Sequence, residues 1–211
     1  KIAAGKTLLY REPPHYITLG KELPAKALDE ILTDHAEVFT ELKEYYKQTS
    51  ESDTTKISFY EDTYSLYNLY RFAHYYEEAY GKYIWLKSGA SLVIEHTEAM
   101  TVIDVNTGSV LKKKKQEDTL FYQINREAAK EIARQLRLRN ISGIIMIDFI
   151  NMKDTAQKEK LLSLLDSECK KDRVHCNVID MTALNLVEMT RSKVRKPLHE
   201  QIRSCMKNNR S

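Results

Sequence analysis

The sequence predicts an α/β fold, and three observations carry it. Two apolar strand-like runs, 101–106 and 144–150, each hold an acid near the carboxyl end. A long amphipathic helical stretch, 119–140, separates them. A second helical stretch, 154–172, follows, and strands that alternate with helices imply a sheet flanked by helices.

Taken in order, residues 7–12 read as a short strand stopped by Pro13-Pro14, since proline cannot donate to a ladder. Residues 23–33 and 36–47 show helical apolar spacing: Leu28, Ile31 and Leu32, then Val38, Phe39 and Leu42. The polar stretch 48–55 is a loop, and 56–60 is a strand candidate. Residues 64–80 read as one helix, with Gly81 as its stop. Tyr60, Tyr64, Tyr67 and Tyr70 suggest either a base-stacking platform or, favoured by the leucines between them, amphipathic core packing. His15 and His74 read as structural or surface residues.

The texture changes at residues 82–86, where a domain boundary is placed, giving domains 1–84 and 85–211. Residues 83–86 and 91–106 are strand-rich, with Ser88-Gly89 as the turn. The run Lys112 to Lys115 lies in a loop. Residues 144–150 form a continuous apolar run that reads as a central strand buried on both faces. Asp154 caps the helix over 154–172. Strands return at 176–181 and 186–189, and a basic tail begins at Pro197.

Composition narrows the function classes. The chain has 211 residues, 42% hydrophobic and 30% charged, enough for one large or two small packed domains. No run of about 18 apolar residues occurs, so no transmembrane helix is expected. Residues 1–11 are too polar for a signal peptide, and the start at Lys1 reads as a fragment of a longer protein. Three cysteines without a C-x-x-C pair argue for free thiols in a reducing cytosol. Charge is uneven: 10 Lys+Arg against 14 Asp+Glu through Trp85, then 23 against 16, so net −4 is followed by net +7. A polyanionic partner and a solvated surface explain the second half equally well.

Asp148 sits at the end of an apolar strand, which pushes its carboxylate toward a low-dielectric setting. Such a group must be paired, protonated or metal-bound. Capping of the next loop or pairing with an arginine is an equal reading of this strand alone. Asp104 adds a second acid at the end of a second strand, and Asn106 shares its face at i+2. Two carboxylates and an amide are the ligand type of Mg²⁺, which can activate water against a phosphodiester. Buried acid pairs also arise for structural reasons. Glu95 and Glu98 are candidates for a general base or supporting acids, or solvent-facing positions. His96 is the histidine nearest Asp104 in sequence, and a surface role is its plainer reading.

The helix over 119–140 has a buried stripe of Leu120, Ile124, Ala128, Ile132 and Leu136. Arg126, Lys130, Arg134 and Arg137 form a basic stripe beside it, suited to phosphates. Glu127 and Glu131 interleave with it, so pairing along the helix is the competing reading. Arg191, Lys193, Arg195, Lys196, Arg203, Lys207 and Arg210 offer further cations toward the end.

The stretch from Trp85 to Pro197 resembles the catalytic region of the ribonuclease E/G family. The resemblance lies in Leu86-Lys87-Ser88-Gly89, in Leu92 through Met100, and in Ile103-Asp104-Val105-Asn106-Thr107-Gly108. It continues through Asn125 to Arg139, Gly143 to Met152 and Leu186 to Arg191. Residues 56–80 resemble more weakly the RNase H-like part of that family. The resemblance implies an RNase H-like α/β subdomain followed by a DNase I-like α/β catalytic subdomain. It implies Asp104 and Asp148 as ligands of a catalytic Mg²⁺, for which Mn²⁺ can substitute, with Asn106 supporting them. The implied reaction is endonucleolytic hydrolysis of single-stranded RNA to 5′-phosphate and 3′-hydroxyl ends, in bacterial cytoplasmic RNA processing and decay. Arg126, Lys130, Arg134, Arg137, Lys112 and Lys113 are the implied RNA contacts, and a homodimer through the catalytic subdomain is implied too. The alternatives are an RNA-binding or scaffold module of the same fold without activity, and another metal phosphoesterase. Some features depart from the pattern. The family's OB-fold and 5′-sensor would precede Lys1. Its zinc-linking cysteine pair would follow Arg191, where no C-x-x-C stands, so zinc is not expected. Asn151 stands where relatives often carry aspartate, and Lys112 to Lys115 fill a loop that is glycine-richer in some relatives.

Overall fold

Pro14 opens the first helix, α1 (His15–Glu22), its carbonyl accepting from the Ile17 and Thr18 amides at 3.0 and 3.2 Å. The structure is a computed structural model and describes residues 13–22, 28–49, 56–108 and 117–201. The strand expected over 7–12 lies outside them. The chain divides into two units, Lys1–Ala73 and His74–Ser211.

In the first unit, β1 (Glu30–Thr33), α2 (Ala36–Thr49) and β2 (Lys56–Phe59) form a β-α-β unit whose strands pair in parallel, Ile31 opposite Ile57. Residues 30–33 are therefore strand rather than the end of a helix. Strand pairing with β2, 26 residues away (Glu30 with Lys56), overrides the helical spacing of Leu28, Ile31 and Leu32. Leu42 of α2 is 2% exposed.

The helix expected over 64–80 is two helices. Ser65 caps the short α3 (Leu66–Leu69), its hydroxyl accepting from the Asn68 amide. Arg71 then adopts a left-handed φ of 52°, which no helix tolerates, before α4 (Phe72–Tyr80) begins. Of the four tyrosines, Tyr64, Tyr67 and Tyr70 do not pack inward but are exposed, whereas Tyr60 is half-buried and Leu66 buried.

The second unit is a six-stranded mixed sheet in the order β3-β4-β5-β6-β8-β7. Its strands are β3 (Tyr83–Trp85), β4 (Ser91–His96), β5 (Met100–Asn106), β6 (Gly143–Asp148), β7 (Cys176–Met181) and β8 (Leu186–Arg191). Only β5 and β6 run parallel, joined by α5 (Glu117–Leu138); α6 (Thr155–Cys169) links β6 to β7. Asp154 caps α6, its Oδ1 accepting from the Ala156 amide at 2.9 Å.

The two helices pack against each other and cover one face of the sheet. There Leu120, Ile124, Ala128, Ile132 and Leu136 of α5 meet Leu92, Ile103, Ile145, Ile147, Val187 and Met189, all 8% exposed or less. Each large apolar side chain so buried contributes about 1.5–3 kcal/mol. The opposite face carries Val93, Val102, Asp104, Met146 and Asp148, which are half-buried or exposed. β6 is thus central but buried on one face only: Ile145 is 0% exposed and Ile144 49%. A sheet with helices on one side leaves alternate residues of its inner strands outside the core.

Arg191 ends β8 on the core side, following Val187 and Met189 by alternation. Its Nε donates to Asp172 Oδ2 at 2.9 Å and its Nη1 to Asn140 Oδ1 and the Ile141 carbonyl, both at 2.9 Å. It is a buried structural cation, not part of a basic tail. Pro197 begins a helical turn docked by the Leu198 amide on the Arg139 carbonyl at 2.9 Å. Arg203, Lys207 and Arg210 lie outside the described residues.

Candidate metal centre

The register of β5 against β6 builds the site. Asp104 is the direct partner of Asp148, so both side chains leave the same face of neighbouring strands. That is the open face, since Ile103, Val105 and Ile147 occupy the other. Cα atoms of adjacent strands lie ~4.8 Å apart, so the carboxylates are close neighbours. Like charges directly opposite one another destabilise a sheet unless something compensates. Partial burial, and then the charge of Asp104, hold the Asp148 carboxyl above the usual carboxylate range. Asp148 nevertheless faces solvent, so its burial is only partial, less than its apolar neighbours imply, because those neighbours point into the other face.

Asn106 follows at i+2, and its Nδ2 donates to Asp104 Oδ2 at 2.6 Å. This bond fixes the Asp104 carboxylate and leaves its second oxygen for another partner. Beyond the strand, Gly108 adopts φ 55°, and a Cβ there would sit 2.7 Å from the Gly89 carbonyl. Only glycine permits that approach, which seats the exit of β5 on the β3–β4 turn.

Asn125 supports the site from α5, and spacing alone did not single it out. It is 0% exposed, its Nδ2 donating to the Ile150 carbonyl at 2.7 Å and its Oδ1 accepting from the Ile150 amide at 3.0 Å. The pair clamps the chain two residues past Asp148. A polar residue beside Ile124 on an otherwise apolar helix face was the available signal.

Other candidates are placed elsewhere. Glu95 shares the open face but lies one row toward the strands' other end and pairs with Lys82. Glu98 lies in the β4–β5 turn. His96 faces the helix side at the far end of β4, stacked on His199 at 3.9 Å, with Nδ1 3.0 Å from Thr101 Oγ1. Burial, then His199 and Arg139, lower its pKa to about 4. Among the described residues, no group of three or more His, Cys, Asp or Glu gathers as a metal site. The donor set is two carboxylates and an amide, compatible with Mg²⁺, which uses one or two carboxylates and keeps several waters.

The basic stripe lies on α5, across the sheet from the carboxylates. Arg126 and Lys130 are exposed, with the Arg126 guanidinium 5.7 Å from the Tyr122 ring. Arg134 pairs with Glu78 and Glu131, so its charge is compensated. Arg137 is exposed and donates to the Glu168 carbonyl at 3.4 Å. Glu127 does not pair along the helix; it accepts the Lys87 amide at 2.7 Å and holds the β3–β4 turn. Lys112 and Lys113 lie outside the described residues.

A family model described as "Ribonuclease E/G family" matches residues 1–194. Ribonuclease G of Haemophilus influenzae is 37% identical over 193 residues, 92% of this chain and 39% of the relative. Ribonuclease G of Escherichia coli K12 is 38% identical over 171 residues, 81% of this chain and 35% of the relative. Ribonuclease E of a Nostoc species is 32% identical over 196 residues, 92% of this chain and 28% of the relative. The chain therefore spans well under half the length of the curated relatives it matches.

Proposed function

The chain belongs to the ribonuclease E/G family, and on that premise we propose that its second unit is the core of a divalent-metal endoribonuclease acting on single-stranded RNA. The observation that carries this reading is the direct pairing of Asp104 with Asp148 on an open sheet face. Two neighbouring carboxylates repel, and a small divalent cation removes that repulsion while accepting both as ligands. Asp104 and Asp148 would hold Mg²⁺, or Mn²⁺ in its place. When bound, such an ion polarises a phosphodiester and lowers the pKa of a water molecule enough to make it a nucleophile.

The chain's own residues supply the rest. Asn106 holds Asp104 in one rotamer through its 2.6 Å bond. Asn125 holds the backbone two residues past Asp148, so that acid stands on a braced chain. The open face admits an unpaired strand. Arg126 and Lys130, midway along α5 on the helix-covered side of the sheet, are exposed and would hold phosphates of the RNA away from the reacting bond. Hydrolysis would leave 5′-phosphate and 3′-hydroxyl ends. RNA processing and decay in the bacterial cytoplasm, and a homodimer through this unit, belong to the same reading and rest on family membership alone. No helix among the described residues is long and apolar enough to cross a membrane.

The test is incubation of the chain with a 5′-monophosphorylated, A/U-rich single-stranded RNA, in Mg²⁺ or in EDTA, for wild type and Asp104→Asn. Internal cuts should require Mg²⁺ and fall at least ~100-fold in the variant, about 2.7 kcal/mol of barrier. Cuts that survive EDTA or the substitution would overturn the metal reading. RNA bound but never cut would favour a binding module of the same fold.

A further inference from the structure

Two of the largest exposed side chains of the second unit stand on the carboxylate face. β3 alternates Tyr83 out, Ile84 in, Trp85 out, with exposures of 60%, 6% and 73%. Its register carries that alternation across the sheet. Tyr83 opposes Val93, which opposes Asp104, which opposes Asp148. Trp85 opposes Ser91, which opposes Asn106. Direct partners share a face, so Tyr83, Trp85, Asp104, Asn106 and Asp148 all leave the same side of the sheet.

Strand spacing sets the distances. Tyr83 is two strands from Asp104, ~10 Å between Cα atoms, and Trp85 is ~12 Å away because it lies one row higher. That is three to four nucleotides of a stacked strand at ~3.4 Å each, and fewer of an extended one.

Neither aromatic stands on a loose segment. Trp85 is flanked by Ile84 and Leu86, at 6% and 7% exposure, both in the core. Glu127 ties the following turn to α5 through the Lys87 and Ser88 amides. A braced backbone therefore presents an indole to solvent at an apolar cost that packing of the unit itself does not explain.

We propose that Trp85, assisted by Tyr83, is a stacking platform for a base of the RNA strand whose phosphate lies at Asp104 and Asp148. This rests on the reading of those acids as the reaction centre. An aromatic face takes any base, so the platform holds the strand in place with little sequence preference. It acts on binding and positioning, not on the reacting bond. The tyrosines of the first unit are not needed for it.

Trp85 is the only tryptophan in the chain, so its emission reports this position alone. The experiment titrates the chain, in EDTA, with a dye-labelled A/U-rich oligoribonucleotide, reading dye anisotropy for binding and Trp85 emission for stacking. An oligonucleotide of the same length with abasic residues serves as comparison. RNA should quench Trp85 as it binds, and the abasic strand should not. Trp85→Ala should weaken binding ~5- to 150-fold and raise KM more than it lowers kcat, while Trp85→Phe keeps most of the affinity. Asp104→Asn should leave the quench intact. Binding with unchanged Trp85 emission, equal quenching by the abasic strand, or full affinity in Trp85→Ala would overturn the platform and leave the metal reading standing. Absence of RNA binding by anisotropy would overturn both.

Discussion

Without divalent metal, replacing Asp148 by Asn is expected to stabilise the protein. Asp148 and Asp104 are direct partners on parallel strands, and Asp148 faces solvent. Two unit charges ~5 Å apart cost ~0.8 kcal/mol in a water-like dielectric and ~3 kcal/mol at an effective constant of 20. Exposure puts the pair near the first figure, and salt trims it, leaving about 0.5–1 kcal/mol for the variant to recover. At about 2–4 °C per kcal/mol, melting should rise about 1–4 °C. The Asp148 carboxyl is held above its usual range, so the folded state keeps its proton longer than the unfolded state. Stability from this group is therefore highest in acid and falls as pH rises through the shifted pKa. The gain in Asp148→Asn should be largest at neutral pH and vanish below the ordinary carboxylate range. Mg²⁺ should reverse the ranking, since a ligand at 100 times its Kd adds about 2.7 kcal/mol to whichever protein binds it. Melts followed by circular dichroism at low salt, in EDTA or Mg²⁺ and across pH, test this. A variant that melts lower than wild type in EDTA, or equal stabilisation of both by Mg²⁺, would refute the electrostatic argument.

Other substitutions probe the frame around the site. Asn125→Ala removes both bonds to Ile150 at a fully buried position and should cost about 1–3 kcal/mol in urea unfolding. Arg191→Ala leaves Asp172 buried without its partner and should cost about 3–5 kcal/mol by the same measurement. His96, its pKa lowered to about 4, stays neutral in the folded state while the unfolded chain takes up its proton. Stability should thus fall as pH drops from ~6.5 toward 4, by about 1–2 kcal/mol after discounting for partial exposure. Urea midpoints of His96→Gln across that range should show a flatter slope.

The parts of the fold that were legible in the sequence are those where local periodicity and packing agree. The α5 stripe from Leu120 to Leu136 and the Asp154 cap both appear where their spacing puts them. Residues 30–33 were not legible because their state depends on β2, a distant partner. The break at Arg71 lies in one left-handed residue that apolar spacing does not reveal. At the site, each aspartate could be picked out alone, at the end of its own strand. Their joint role as an acid cluster was also readable, but not the register that makes them direct cross-strand partners, since it depends on how β5 and β6, far apart in sequence, align. For the same reason the spacing of Arg126, Lys130, Arg134 and Arg137 was readable, but not the layer on which they lie. Alternation along β8 was the overlooked clue for Arg191, which follows Val187 and Met189 into the core.

The central claim is that Asp104 and Asp148 together hold one divalent ion. Mn²⁺ binding followed by electron paramagnetic resonance, on wild type, Asp104→Asn and Asp148→Asn, tests it most directly. The account predicts one Mn²⁺ site per chain, weakened at least ~10-fold in either variant and displaced by Mg²⁺. The same stoichiometry and affinity in all three proteins would contradict it.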